Sequence, residues 1–140
     1  MRAVIFLFGV FVSFAIHSRD IALNGSWIVS ISNLDGMVIT KMKVRFLNKK
    51  AESCLGGDWK KLEVVSYETS DENFFPVKDS LSYDLKGDEL IIGRNQICDA
   101  YLHLDGKYDA IRGQGDYIRF GWGTEALGHF FLFRESAKDS

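Results

Sequence analysis

The sequence predicts an all-β protein, an eight-stranded antiparallel up-and-down barrel. Three observations lead there. Apolar and polar residues alternate with period two along most of the chain, and apolar positions at helical spacing are nearly absent. The 140 residues include thirteen glycines and one proline, so turns are short and no strand interior loses a ladder donor. The strand count is even, as closure requires, because the first and last strands of such a barrel pair antiparallel. A two-sheet β-sandwich is the structural alternative.

The elements follow in order. "SWIVSIS", residues 26–32, sets Trp27, Val29 and Ile31 on one face against Ser26, Ser30 and Ser32, with Ile28 the exception. "NLDG" brings Asp35-Gly36 for a tight hairpin. "MVITKMKVRF" then places Val38, Thr40, Met42, Val44 and Phe46 opposite Lys41, Lys43 and Arg45. A one-residue slip would bury the basic side chains, so the inner face is fixed. Beyond a loop with Cys54, Gly56 and Gly57, "WKKLEVVSY" turns Leu62 and Val64 inward, and "ETSDENFFPVKDS" is the longest irregular stretch. "LSYDL" and "ELII" form a hairpin around "KGD". "CDAYLHL" aligns Ala100, Leu102 and Leu104, leaves Tyr101 and His103 on the exposed face, and ends at Asp105-Gly106, read as the next turn. From Lys107 one long strand, bent at Gly113-Gln114-Gly115, keeps the count at eight; dividing it there gives nine. In it Gly113, Gly115 and Gly121 share a face. "GHFFLFR" is the last strand, ending at Arg134.

Residues 1–18, "MRAVIFLFGVFVSFAIHS", join one early charge, Arg2, to an apolar run and small residues, the layout of a secretory signal peptide. Cleavage after Ala15 and after Ser18 both fit. The apolar run, of about fourteen residues, is short of the roughly 20 that cross a bilayer as a helix, so no membrane span is expected in the mature chain. Residues 19–140 remain as a single domain in which Lys plus Arg falls from 17 to 16 against 19 acids. With the two signs interspersed, nucleic acid is not an expected partner. Cys54 and Cys98 survive processing, and an even count in an exported chain points to one disulfide closing a loop of about 44 residues. Secretion or a periplasmic location is the corresponding expectation. The spacing matches no zinc motif, so no metal is expected.

Gly25-Ser26-Trp27 on the first strand and Arg134 closing the last resemble the structural signature of the calycin superfamily, which comprises lipocalins, fatty-acid-binding proteins and avidins. The resemblance implies that Trp27 lies inside the closed end and that Arg134 packs across its ring as a seam between the first and last strands. It also implies a barrel that binds a small molecule, with minimal, avidin-like proportions. The avidin ligand contacts have no position-by-position counterpart here, so biotin binding is not carried over.

No Gly-x-Ser-x-Gly or comparable nucleophile motif is present, and His103 and His129 read as exposed strand histidines. An acid-base group of Tyr101, His103, Asp109 and Asp116 would need the strands to gather it. Enzymatic activity is therefore not the leading expectation, and no cofactor is implied. The first functional expectation is a small, largely apolar ligand lined by Val29, Ile31, Met42, Val44, Phe46, Leu102, Phe120, Trp122 and Phe130. The second is an exported protein-binding module or enzyme inhibitor, acting through "ETSDENFFPVKDS" with a filled barrel. The last strand is apolar on both faces, Phe130 and Leu132 against Phe131 and Phe133. Its outer face calls for a cover, either "NFFPV" or a partner subunit, which leaves a homo-oligomer open.

Overall fold

A computed structural model describes residues 23–136, which close into an antiparallel barrel of eight strands in up-and-down order. They are β1 (Ser26–Asn33), β2 (Val38–Lys50), β3 (Lys60–Thr69), β4 (Leu81–Lys86), β5 (Glu89–Arg94), β6 (Tyr101–Tyr108), β7 (Arg112–Phe120) and β8 (Thr124–Arg134). β8 returns to β1 in unbroken register, from Trp27 opposite Arg134 to Asn33 opposite Gly128. The described residues contain no helix, and a second sheet is not needed, so the sandwich alternative is set aside. The leader, residues 1–18, lies outside the described residues.

Alternation of strand direction sends the β1–β2, β3–β4, β5–β6 and β7–β8 connections to one end, called the loop end here. The β4–β5 and β6–β7 turns, the entry to β1 and the exit from β8 share the other, the seam end. There the Arg134 guanidinium lies over the Trp27 ring, 4.9 Å from its centroid, a geometry worth about 0.5–2 kcal/mol. Phe46 meets Trp27 edge-on at 6.1 Å and Tyr83 at 4.9 Å, which fills this end with aromatic rings.

Two boundaries differ from the sequence reading. Asp105-Gly106 is not a turn: β6 runs through it to Tyr108, and the chain reverses at residues 109–111. There the Asp109 carboxylate accepts the backbone N–H groups of Ile111 and Arg112, both at 2.9 Å, closing an Asx turn. Gly106 instead faces Gly115 across the β6–β7 ladder, where a side-chain carbon at either position would run into the other strand's backbone. The strand count is unchanged because the bend expected at Gly113-Gln114-Gly115 lies inside β7, whose eight-residue pairing with β6 runs from Gly113 to Phe120. At its far end β7 stops at Phe120, Gly121–Gly123 turns, and β8 begins at Thr124 rather than at Gly128.

Candidate functional site

The interior is full. Trp27, Val29, Ile31, Val44, Leu90, Ile92, Leu104, Tyr117 and Phe130 have no solvent-accessible surface, and Met42 and Leu132 keep 1 %. A void large enough for water would leave accessible surface on its lining, so these side chains pack against one another as a core. Of the expected lining residues, Val29, Ile31, Met42, Val44 and Phe130 are in that core, while Phe46 and Leu102 pack against it partly buried. Phe120 and Trp122 are not brought there. Phe120 pairs with Tyr101 on the outward face, and Trp122 stands in the β7–β8 turn, wholly exposed. Phe120 falls on the outward, even-numbered positions of β7, since Tyr117 takes an inward one, and Trp122 lies past the end of the strand, where the period-two rule no longer applies.

The loop end is plugged from above. "NFFPV", expected as a cover for the outer face of β8, folds into the mouth, where Phe75 and Val77 are buried with the core. Phe74 and Phe75 meet the Tyr117 ring edge-on at 5.2 and 5.5 Å. The Tyr117 hydroxyl donates to the Phe74 carbonyl. Burial pushes the Tyr117 phenol up to about 12, against the opposing pull of Arg94 and Arg119. The plug is also tied by charge: Arg94 pairs with Asp79 at 3.2 Å, and Lys78 with Glu72 at 2.8 Å. The apolar side chains of this loop are thus spent inside the molecule and unavailable for an external partner.

The β2–β3 connection, residues 51–59, folds back over the outer faces of β4, β5 and β6 as a strap. The Cys54–Cys98 disulfide fastens it to the β5–β6 loop. Glu52 donates its N–H to Asn95 Oδ1 at 3.1 Å, and Ser53 Oγ meets the Tyr101 hydroxyl at 2.9 Å. Beneath it Trp59, Ser82, Asp84, Tyr101 and His103 are buried although the last four point outward from the barrel wall. His103 is therefore not the exposed strand histidine the alternation implied; it stacks on Tyr101 at 5.4 Å. Burial pushes its pKa down, against smaller opposing effects of the Tyr101 backbone and the Asp105 carboxylate. The grouping of Tyr101 and His103 with Asp109 and Asp116 does not form. Asp109 turns the chain at the seam end, and Asp116 pairs with His129 Nδ1 at 2.9 Å.

At the loop end a groove of about 880 Å³ lies open between the β5–β6 loop, at Cys98–Ala100, and the β7–β8 hairpin, Arg119–Glu125. One wall is apolar, from Phe120 and Trp122; Arg119 and Glu125 pair across the hairpin, with Arg119 Nε 3.0 Å from the carboxylate. The β5–β6 loop, which forms the opposite wall at Cys98–Ala100, contains two left-handed residues that are not glycine, Gln96 at φ 63° and Ala100 at φ 47°. Such residues cost energy and persist where surrounding structure holds them, here the disulfide between them. Leu34, Met37, Val38 and Ile97 are also exposed at this end, Val38 despite its place in the inward series. The residues that close the loop end include six carboxylates, Asp35, Asp71, Glu72, Asp79, Asp99 and Glu125, against three cations, Lys78, Arg94 and Arg119. The end is apolar at its tips and acidic around them.

The plug and the strap escaped the sequence reading. Their signals were present: two adjacent phenylalanines in an otherwise polar loop, and a cysteine pair linking the two loops that meet over Tyr101. Among the described residues no helix is long and apolar enough to cross a membrane, and no group of three or more His, Cys, Asp or Glu is placed to hold a metal ion. Comparison with protein-family models, with curated proteins and with solved structures returned no match.

Proposed function

We propose that the chain is an exported, calycin-like barrel that works as a protein-binding module, engaging its partner through the loop end. The observation that carries this reading is Trp122, wholly exposed between two glycines and beside a half-exposed Phe120 on the wall of an open groove. An indole exposed to water at a hairpin tip has the size and amphipathic character of an interface anchor. The acidic surround argues for a partner whose apolar contact is rimmed by Lys and Arg. The disulfide and the leader-like first eighteen residues support an oxidising destination, secreted or periplasmic. A small apolar ligand inside the barrel finds less support, since the central inward residues, Val29, Ile31, Val44, Leu104 and Phe130 among them, leave no accessible surface; one seated in the groove is the form of that reading that remains.

The test is made on protein recovered from its own host. A photo-crosslinking residue at position 122 is expected to yield one dominant protein adduct, weakened by salt and absent from a control at Lys61. Native mass spectrometry of the same material is expected to give the polypeptide mass alone. A retained small molecule without any adduct at position 122 would reverse the assignment in favour of a ligand carrier.

A further inference from the structure

The outer face of β8 is an exposed apolar strip far from the groove. Phe131 is 56 % exposed and Phe133 44 %, Ile28 lies beside Phe133 on β1, and Ile111 stands exposed in the turn that bonds to Arg134. Nothing from this chain's described residues covers it, because "NFFPV" is inside the mouth. The ladder registers place side chains on this face in a grid. Across β7, β8 and β1 the rows read Arg112, Phe133, Ile28; then Gln114, Phe131, Ser30; then Asp116, His129, Ser32.

That grid is complementary to itself. We propose that two copies of the chain associate through it, about a two-fold axis that lies between the facing sheets, crosses β8 at right angles and passes over Phe131. Such an axis reverses the strand direction and keeps β7 facing β7. Phe131 then meets its own counterpart, Phe133 covers the partner subunit's His129, and Arg112 stands opposite the partner subunit's Asp116, a contact made twice by symmetry. An axis along β8 would instead set Arg112 against Ile28 and Asp116 against Ser32, pairing charge with nothing. Arg112 is able to reach: its side chain is largely exposed, and its 3.7 Å contact with Asp109 is a surface pair that competes weakly. Asp116 accepts from His129 through one oxygen, which leaves the other for the guanidinium.

Three strands supply the paired rows. In an eight-stranded barrel each strand turns the wall by about 45°, so β2 with Lys41 faces away, while Lys107 of β6, paired to Asp88 at 3.3 Å, borders the same hollow as Arg112, Gln114, Phe131 and Phe133. The contact is accordingly small, under about 1,200 Å² in total, the size of weak, reversible association.

Sedimentation equilibrium of the processed protein over a concentration series from about 5 to 500 µM tests the proposal. A monomer–dimer equilibrium is expected within that range, unchanged by Trp122→Ala. Phe131→Glu should abolish it. Arg112→Asp and Asp116→Arg should each weaken it at least about tenfold, since each sets like charges together twice, and the double variant should restore it. Thermal midpoints of all variants, which alter exposed positions only, report that the barrel is intact. A wild-type mass that stays monomeric throughout would overturn the proposal. Failure of the double reversal to recover association would overturn it equally, because recovery requires Arg112 and Asp116 to face one another across the axis.

Discussion

Tyr117 and His103 are both turned away from water, Tyr117 with its hydroxyl hydrogen-bonded and His103 with its ring stacked on Tyr101. Tyr117 faces inward and donates to the Phe74 carbonyl, so Tyr117→Phe removes the hydrogen bond and leaves a carbonyl unsatisfied at the mouth. A loss of about 1 kcal/mol is expected by denaturant titration, with faster amide exchange confined to residues 70–80. His103 lies outside the barrel wall but beneath the strap, and burial lowers its pKa. The folded state therefore binds the proton less readily than the unfolded chain, whose histidine titrates near the ordinary value of about 6.5. Stability is unaffected by this group above that pH and falls as the pH drops through it, because unfolding then takes up a proton. Thermal midpoints of wild type and His103→Gln measured from pH 7.5 to 5 should converge as the pH falls. A wild-type curve that runs parallel to the variant's would exclude the linkage.

Among the elements, the strap depends most on covalent chemistry. Its contacts with the barrel are the Trp59 ring, a few hydrogen bonds and the disulfide. Replacing both cysteines by serine removes the loop constraint from the unfolded chain and should cost roughly 2–4 kcal/mol. With the strap freed, Trp59 moves into water, and its emission should shift to the red under native conditions; an unchanged spectrum would mean that packing alone holds the strap. How far elements can be read from sequence is plain from the neighbouring strands. β1 and β2 were legible because serines in the first and basic residues in the second alternate with apolar ones, and only one register keeps Lys41, Lys43 and Arg45 out of the core. β6 was not, because Asp105-Gly106 has the composition of a turn but sits where two strands approach too closely for side chains. The test is Gly115→Ala, whose methyl would meet the Asp105 and Gly106 backbone. It should destabilise by about 1–3 kcal/mol, whereas an alanine at Gly123, with open space around it, should not. Tyr101 and His103 misled for a related reason: alternation reports which side of the wall a residue faces, and here that outer side is itself covered.

At the scale of the whole molecule, the question is whether the barrel is a container or a solid support. Its closure and its inner face were readable from strand parity and alternation; its filling was not, because an eight-stranded barrel can hold either side chains or a ligand. Deciding between them needed the plug, a long-range contact that no periodicity encodes. If the barrel is a solid support, wild-type protein should neither bind benzene or xenon nor enhance an apolar fluorescent probe through an interior site. Phe130→Ala should then create the missing space. Phe130 is wholly buried and contacts the centre of the core from β8, between Ile31 on one side and Gly115 on the other. Its truncation should cost about 3–5 kcal/mol and open a dry apolar cavity. Benzene should recover part of the lost thermal midpoint in the variant and leave wild type unmoved, since a ligand stabilises only the state that has a place for it. Equal stabilisation of both proteins would mean that the native interior already accepts a guest, and the search for function would return from the loop end to the core.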